Sequence, residues 1–264
     1  MRGDPEAALL KTEDLSIHFG GLKAVDALDL SVAHGEVHAL IGPNGSGKST
    51  TVNLISGVYR PTRGRILMMG KPLPSMPHDV SAAGISRTFQ NVALFGDMTV
   101  LDNVLVGLHH TFRSGLLALL SGSAKARREE AAARARARSL LEFVGLANLA
   151  GEPARSLPYG KQRLLEIARA RGGDPALILL DEPGAGLTSG EVADVVSLIR
   201  KMKERGLAIV LIEHHMNLVM AVSDTITVLD FGQKIAGGTP SAIQKNPRVI
   251  SAYLGTAAEE DAHA

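Results

Sequence analysis

Residues 42 to 50 read Gly42-Pro43-Asn44-Gly45-Ser46-Gly47-Lys48-Ser49-Thr50 and directly follow the apolar run 37–41. They fill every fixed position of G-x-x-x-x-G-K-[ST], the pattern of a phosphate-binding loop between a strand and a helix. Glycines let the backbone curl so that its amide hydrogens point at phosphate oxygens, and the following helix adds its positive dipole end. Lys48 is expected to reach the β and γ phosphates and Ser49 to hold Mg²⁺. The alternative is a glycine-rich turn that binds nothing, but the full pattern predicts a nucleoside triphosphate site.

Length and composition limit the classes of protein to which the chain can belong. Its 264 residues suffice for a full core, as one α/β unit with a smaller subdomain or as two domains. Zero cysteines exclude a disulfide framework, a thiolate metal site and a cysteine nucleophile, and are typical of a reducing cytoplasm. A net charge of +1 disfavours nucleic acid as a partner, although a local basic patch stays compatible with it.

The sequence contains no segment that predicts secretion or membrane insertion. In its first six residues acidic groups and a proline precede any apolar stretch, unlike the charged-then-apolar order of a signal peptide. The apolar runs 116–120 and 207–212 fall far short of the ~20 residues that cross a bilayer. We therefore expect any membrane association to occur through a partner.

The first part of the chain alternates strands with one helix. Residues 15–19 alternate apolar and polar before Gly20-Gly21, which predicts a half-buried strand, and residues 28–32 are predicted as its neighbour. After the phosphate loop, apolar residues 52, 54, 55 and 58 predict one face of a helix, and residues 65–70 predict a returning strand.

The remainder divides into a helical part and a second series of strands. Asp97 or Thr99 is a candidate cap for a helix through 105, and the Ala/Arg-rich stretch 123–141 predicts a helix with a solvated face, lipid-headgroup contact being the alternative. Strands are predicted at 177–181, 207–213 and 225–230, alternating with helices at 190–204 and 215–222, which favours a parallel sheet. Residues 256–264 are polar and acidic and are predicted to be disordered.

Two carboxylates follow the very apolar run 176–180. Because open α/β sheets bind ligands at their strand ends, Asp181 is placed to anchor Mg²⁺ through its water shell. Glu182 is placed to orient and polarise an attacking water. The alternative is an acidic pair that merely begins a turn, which a phosphate loop in the same chain disfavours.

Taken in chain order, these motifs resemble those of ATP-binding-cassette (ABC) ATPases. The matching positions are 42–50, Gln90, 157–163, 178–183 and His214, and the similarity spans about residues 9–255. The resemblance implies an α/β fold, namely a P-loop NTPase with a mostly parallel sheet core, an antiparallel β subdomain and a helical signature subdomain at about 92–172. It also implies a single domain at 9–255, a flexible terminus at 1–8, and ATP and Mg²⁺ as ligands.

The resemblance adds roles for single residues. A glutamine matching Gln90 touches the metal in this family, and a histidine matching His214 reaches the γ-phosphate. The implied metal ligands are thus Ser49, Gln90 and Asp181, and the implied catalytic residues are Lys48, Glu182 and His214. A surface glutamine and an ordinary strand-end histidine are the alternatives, and His215 is interpreted as structural or solvated.

Two further positions match the family less directly. Phe19 fits the aromatic residue that stacks on adenine, while core packing is the alternative because Leu15 and Ile17 share its strand face. Thr188 replaces an aspartate that usually contacts the other subunit across the dimer. The coupling between the two nucleotide sites of the dimer is therefore expected to differ from that in family members with the aspartate.

Residues 157–163 match the family signature, which caps the ATP held by the opposite subunit of a head-to-tail dimer. The implied nucleotide contacts are Pro158, Tyr159 and Gly160. Pro158 departs from the common Leu-Ser-Gly-Gly-Gln by lacking a hydroxyl and an amide hydrogen, so one γ-phosphate contact should be missing, although Lys161 could help. We hypothesise a heterodimer in which this composite site is the weaker one, a homodimer being the alternative.

Several stretches are similar to the ATPase subunits of branched-chain amino-acid importers, among them 85–91, 182–187, 211–216 and 251–255. This branch implies transmembrane permease subunits, a second ATPase subunit and, indirectly, a solute-binding protein, at the cytoplasmic face of the cell membrane and without nucleic acid. Amide, urea or lipid-export systems are alternatives. A soluble ATP-gated clamp is disfavoured because the sequence shows no sustained heptads and only one phosphate loop, and a scaffold that does not hydrolyse ATP is a third class.

Overall fold

A computed structural model describes residues 8–108 and 124–260. Residues 1–7 of the predicted flexible terminus, the predicted helix start at 123, the apolar run 116–120 and residues 261–264 of the predicted tail lie outside the described residues. The strands are β1 Ala8–Phe19, β2 Leu22–Ala33, β3 Val37–Ile41, β4 Arg63–Met68, β5 Lys71–Pro72, β6 Ile85–Arg87, β7 Leu177–Asp181, β8 Ala208–Ile212, β9 Thr225–Asp230 and β10 Gln233–Gly238. The α-helices are α1 Lys48–Ile55, α2 Pro77–Ala82, α3 Val100–Gly107, α4 Ala124–Phe143, α5 Tyr159–Ala170, α6 Ser189–Glu204, α7 Met216–Val222, α8 Pro240–Gln244 and α9 Pro247–Glu260.

A six-stranded, mostly parallel sheet forms the centre of the molecule, in the order β10-β9-β3-β8-β7-β6. Only β10 runs antiparallel, against β9. Strands β3, β7 and β8 are buried along their whole length, which explains their continuous apolar sequences. The registers Leu40 with Ile212 and Asp181 with Ile212 align the carboxyl ends of these three strands at one edge. The predicted parallel sheet is confirmed.

A second sheet, in the order β2-β1-β4-β5, is antiparallel. Its apolar face packs on one side of the central sheet and on α1, through buried residues such as Leu15, Leu28 and Val52. Together with the central sheet, this layer confirms the predicted α/β fold with an antiparallel β part.

In the described part of the interval predicted to be a helical insertion, residues 92–108 and 124–172, there are three α-helices. Helix α3 packs against α4 and α5, and their buried residues Val104, Leu141 and Leu165 share a core with Ile178 of β7. The Thr99 hydroxyl caps α3 by accepting a hydrogen bond from the Asp102 amide at 3.0 Å, so Thr99 rather than Asp97 is the cap. The boundary of a separate subdomain at 92–172 stays a prediction.

Helix α9 continues through residues 256–260, the first half of the segment for which the sequence predicts disorder. Val249 and Tyr253 lie one turn apart and pack on the sheet end near Ile226, so the helix has an anchored face. The alanines at 257 and 258 are good helix formers and continue it. Within the described ranges, no helix has the length and apolar content needed to span a membrane.

Candidate nucleotide-binding site and family

The loop between β3 and α1 has the tight curvature that the sequence pattern predicts. Gly42 and Gly47 have φ of +152° and +101°, and their backbones run close to other chain segments. A Cβ would lie 2.1 Å from the Leu229 carbonyl oxygen at Gly42 and 2.5 Å from the Ala24 carbonyl oxygen at Gly47. Both positions therefore require glycine for space as well as for backbone conformation.

Polar groups of this loop face inward. The Lys48 ammonium is nearly buried and donates hydrogen bonds to the carbonyl oxygens of Gly42 at 2.7 Å and Pro43 at 2.8 Å. Burial lowers the pKa of Lys48, and the charge of the Glu182 carboxylate opposes this shift. The Ser46 hydroxyl is buried without a hydrogen-bond partner among the described residues. Such an orphaned donor, next to a cationic side chain, fits a loop shaped for an anion.

The two predicted carboxylates lie at the neighbouring strand end. Asp181 is 5% exposed, and its Oδ2 accepts a hydrogen bond from Arg87 Nη2 at 2.9 Å. Glu182 has a left-handed φ of +47°, and its amide donates to the Ile212 carbonyl at 2.9 Å. Gln90 Nε2 donates to Glu182 Oε2 at 3.0 Å, so the structure places Gln90 beside this carboxylate.

The end of β8 brings His214 to the same place. Its Nδ1 lies 3.8 Å from Glu182 Oε1 and 3.7 Å from Glu213 Oε2, and its side chain is 52% exposed. Sequence reasoning missed Glu213, which is fully buried and accepts hydrogen bonds from the amides of Gly184, His214 and His215. His215 Nδ1 lies 3.2 Å from Glu213, which agrees with its interpretation as structural. Glu213 thus ties the loop after Glu182 to the loop that carries His214.

Residues 158–160 form the start of α5. Pro158 is the N-cap and provides no side-chain cap, while Tyr159 and Gly160 begin the helix. The described residues contain no hydrogen bond between residues 158–160 and the phosphate loop. The fully buried Arg163, which sequence reasoning also missed, donates to the carbonyls of Phe89 and Gln90, both at 2.8 Å.

The structure shows the local environments of Phe19 and Thr188, the two positions that match the family less directly. Phe19 is 47% exposed, unlike the buried Leu15 and Ile17, because it ends β1 at the hairpin turn. The core-packing alternative is therefore wrong, and its ring makes an edge contact with Tyr59 at 5.4 Å between centroids. Thr188 caps α6 in a capping box with Glu191, a local role that accounts for threonine at this position.

Comparison with known proteins identifies the family to which this chain belongs. The sequence model of the ABC transporter family matches residues 25–185, and that of the branched-chain amino acid ATP-binding cassette transporters matches residues 233–259. The chain belongs to the ABC transporter family. ABC ATP-binding proteins hydrolyse ATP to drive transport, and this chain is an ATPase of that kind.

Its relatives in this family match over nearly their whole length. The high-affinity branched-chain amino acid transport ATP-binding protein BraF of Pseudomonas aeruginosa is 43% identical, over 94% of this chain and 98% of BraF. LivG of Escherichia coli K12, a protein of the same description, shows the same identity and coverage. The predicted family is confirmed.

Solved ABC structures share the fold. The ADP conformation of an ATP-binding cassette of an ABC transporter superposes with a TM-score of 0.82 at 34% identity, covering 94% of this chain and 99% of that one. A dimeric cassette in a post-hydrolysis state, bound to ADP and Pi, has a TM-score of 0.72 at 25% identity and covers 88% of this chain and 98% of that one. The P-loop NTPase fold is therefore confirmed.

Proposed function

We propose that this ABC ATPase uses Mg²⁺ and ATP to power the import of branched-chain amino acids, or of similar small polar solutes, through separate membrane subunits. One observation carries the assignment of its active site. Lys48, Gln90, the adjacent Asp181 and Glu182, and His214 come from four separate stretches of sequence and meet at one edge of the central sheet. The cargo rests on the relatives BraF and LivG, which are named for branched-chain amino acid transport.

The phosphate loop, residues 42–50, binds the polyphosphate. Its amides supply the donors, the Ser46 hydroxyl supplies one more, and Lys48 supplies the charge. Because Lys48 now donates to two carbonyl oxygens of the loop, it exchanges these partners for phosphate oxygens when ATP binds. The exposed Phe19 supports the adenine ring.

Three oxygen-bearing side chains suit Mg²⁺, which prefers hydroxyl, carboxylate and amide oxygens. Ser49 is exposed at the start of α1, Asp181 stands at the end of β7, and Gln90 is already bound to Glu182 through its amide nitrogen. When bound, the cation would neutralise phosphate charge. Ser49, Gln90 and Asp181 would hold it, which leaves Glu182 for the attacking water.

Glu182 orients and polarises the attacking water, and His214 holds the γ-phosphate. Glu182 has a positive φ and donates a backbone hydrogen bond to the Ile212 carbonyl oxygen, which fixes its backbone directly after β7. Hydrolysis then depends on positioning and electrostatics, without a covalent intermediate on the enzyme.

A second ATPase subunit completes the site. No hydrogen bond among the described residues joins the signature residues 158–160 to the phosphate loop of their own chain, which fits a role against the nucleotide of a partner. A partner with a standard signature forms the stronger composite site, and Pro158 makes the site completed by this chain the weaker one.

A groove beside Gln90 suits the permease. It has a volume of about 490 Å³, and its lining includes Ser56, Val58, residues of α2, Phe89, Phe95 and the end of α5. Phe89 and Phe95 are each about half exposed there, and such apolar exposure marks interaction sites. The chain therefore lies at the cytoplasmic face of the membrane through the permease, and a solute-binding protein acts with it only indirectly.

Reconstitution tests this proposal. The chain is purified with the membrane subunits that accompany it, placed in liposomes with ATP inside or outside as orientation requires, and assayed with labelled leucine, isoleucine and valine. We expect ATP-dependent uptake that stops in Lys48→Ala. Uptake of an amide, urea or another solute, or export of lipid, in place of these amino acids would overturn the assignment of cargo.

A further inference from the structure

Arg87, the last residue of β6, lies largely buried between two functional regions. Its guanidinium donates to Asp181 Oδ2 at 2.9 Å, to Asn53 Oδ1 at 2.6 Å and to the Ser56 hydroxyl at 3.1 Å. Asn53 belongs to α1, the helix of the phosphate loop, and Ser56 directly follows it. Arg87 therefore joins the carboxylate at the end of β7 to the far end of that helix.

The other side of the same guanidinium faces the groove. Its central carbon lies 5.3 Å from the centroid of the Phe89 ring, a cation–π contact, and both residues line the groove. The Phe89 side chain is 49% exposed, whereas that of Arg87 is 13% exposed. The exposed aromatic ring thus covers a cation that is itself bonded to Asp181.

The energetics make Asp181 dependent on this cation. A buried carboxylate without its partner is strongly destabilised. We therefore expect the Asp181 carboxylate to move with the Arg87 guanidinium when the latter is displaced. Arginine donates from several nitrogens in one plane, which lets one side chain serve Asp181, Asn53 and Ser56 together. Lysine has a single nitrogen on a flexible stem and does not reproduce this fork.

We infer that Arg87 is a positioning residue that holds the Asp181 carboxylate for the metal and passes to it any displacement of Phe89 in the groove. The inference rests on the proposed function, since it takes Asp181 as a metal anchor and the groove as the docking surface of the permease. According to this inference, the ion pair between Arg87 and Asp181 couples docking to metal binding. This route is separate from the contact between Gln90 and Glu182.

The first test measures metal binding without turnover. Mn²⁺, a paramagnetic substitute for Mg²⁺, is titrated by electron paramagnetic resonance into the full chain with ADP. We expect Arg87→Lys and Arg87→Ala to raise the Mn²⁺ dissociation constant about 10- to 100-fold, as for loss of residues that orient metal ligands. Arg65→Ala, which removes an exposed ion pair with Glu13, is the control and leaves it unchanged.

The outcomes separate this inference from the proposed function. Absence of ADP-dependent Mn²⁺ binding in the wild-type chain would overturn the proposed function. Normal wild-type binding with an unchanged constant in Arg87→Lys would overturn the role of Arg87 alone. Thermal unfolding checks that each variant is folded, and Arg87→Lys, which keeps the charge, decides the matter if Arg87→Ala is unfolded.

The second test concerns the groove. The same titration is made on the chain alone and in the complex with its membrane subunits. We expect the complex to shift the Mn²⁺ dissociation constant, Phe89→Ala to remove most of this shift, and Ile250→Ala to keep it, because Ile250 is an exposed apolar residue of α9 outside the groove. Equal shifts in the two variants would overturn the coupling through Phe89.

Discussion

At the scale of single residues, the proposed role of Glu182 can be tested most clearly by substitution. It stands beside Gln90 and His214 and has no other proposed function than to orient the attacking water. We expect Glu182→Gln to keep ATP binding, because the amide has the same shape, and to reduce turnover at least about 100-fold. Phosphate release and nucleotide titration measure the two effects.

The control for this prediction is Glu204→Gln, at the exposed end of α6, which should leave turnover unchanged. Equal turnover in Glu182→Gln and the wild type would remove Glu182 from the proposed function.

Lys48 gives the active site a dependence on pH. Burial holds its pKa below the 10.5 of a free lysine, and bound phosphates favour its charged form. We therefore expect the affinity for Mg-ATP to fall as the pH rises through this lowered pKa, because the neutral amine no longer attracts phosphate. Titrations at increasing alkaline pH measure the change in affinity.

Lys48→Arg is the matched variant, since a guanidinium stays protonated over this range. Its affinity should be lower than that of the wild type but independent of pH. The same alkaline loss in both proteins would show that another group titrates.

At the scale of elements, α3 depends on a side-chain cap. The Thr99 hydroxyl accepts from the Asp102 amide, whereas Thr239, the N-cap of α8, makes no such bond. We expect Thr99→Ala to lower the free energy of unfolding by about 1 kcal/mol and Thr239→Ala to change it little. Denaturant unfolding of the two variants measures the difference, and equal losses would contradict this account of the cap.

Elements with a local cause were predictable from the sequence. The strands predicted at 177–181 and 225–230 coincide with β7 and β9. The apolar run of β7 has a local cause, because a strand that is buried on both faces needs continuous apolar residues. The length of β1 was not predictable, because its register shifts between Leu10 and His18 depend on pairing with both β2 and β4.

In the candidate site too, residues with a local sequence signal were predictable, whereas residues with distant partners were not. Sequence pattern pointed to Lys48, Asp181 and Glu182, since motif spacing and strand ends are local features. Arg87 and Glu213 lack such a signal, because their partners lie 94 and 29 residues away and only the sheet register brings them together. Glu213 had one weak indication, a carboxylate at the end of a strand that is otherwise wholly apolar.

At the scale of the whole molecule, the signature predicts unequal sites in a dimer. Pro158→Ser restores a hydroxyl and an amide hydrogen, and a charge-assisted hydrogen bond is worth about 1 to 3 kcal/mol. We expect the steady-state ATPase rate of the reconstituted complex to rise at least about fivefold, since about 1 kcal/mol corresponds to that factor.

Pro153→Ser is the matched control, because Pro153 caps the preceding 3₁₀ turn, Ala154–Ser156, and lies outside the signature. Equal rates in the wild type and Pro158→Ser would argue against a weaker composite site, and a rise in both variants would indicate a general effect of removing proline.

The central claim is that the loop of residues 42–50 binds a polyphosphate through its amides and Lys48. Isothermal titration calorimetry of the folded wild-type chain with Mg-ATP tests it most directly. We predict saturable heat for one site per chain, with affinity about 10- to 100-fold weaker in Lys48→Ala and unchanged in Lys71→Ala, an exposed lysine elsewhere. An absence of binding heat in the wild type at several temperatures, or equal affinity in Lys48→Ala, would contradict the claim.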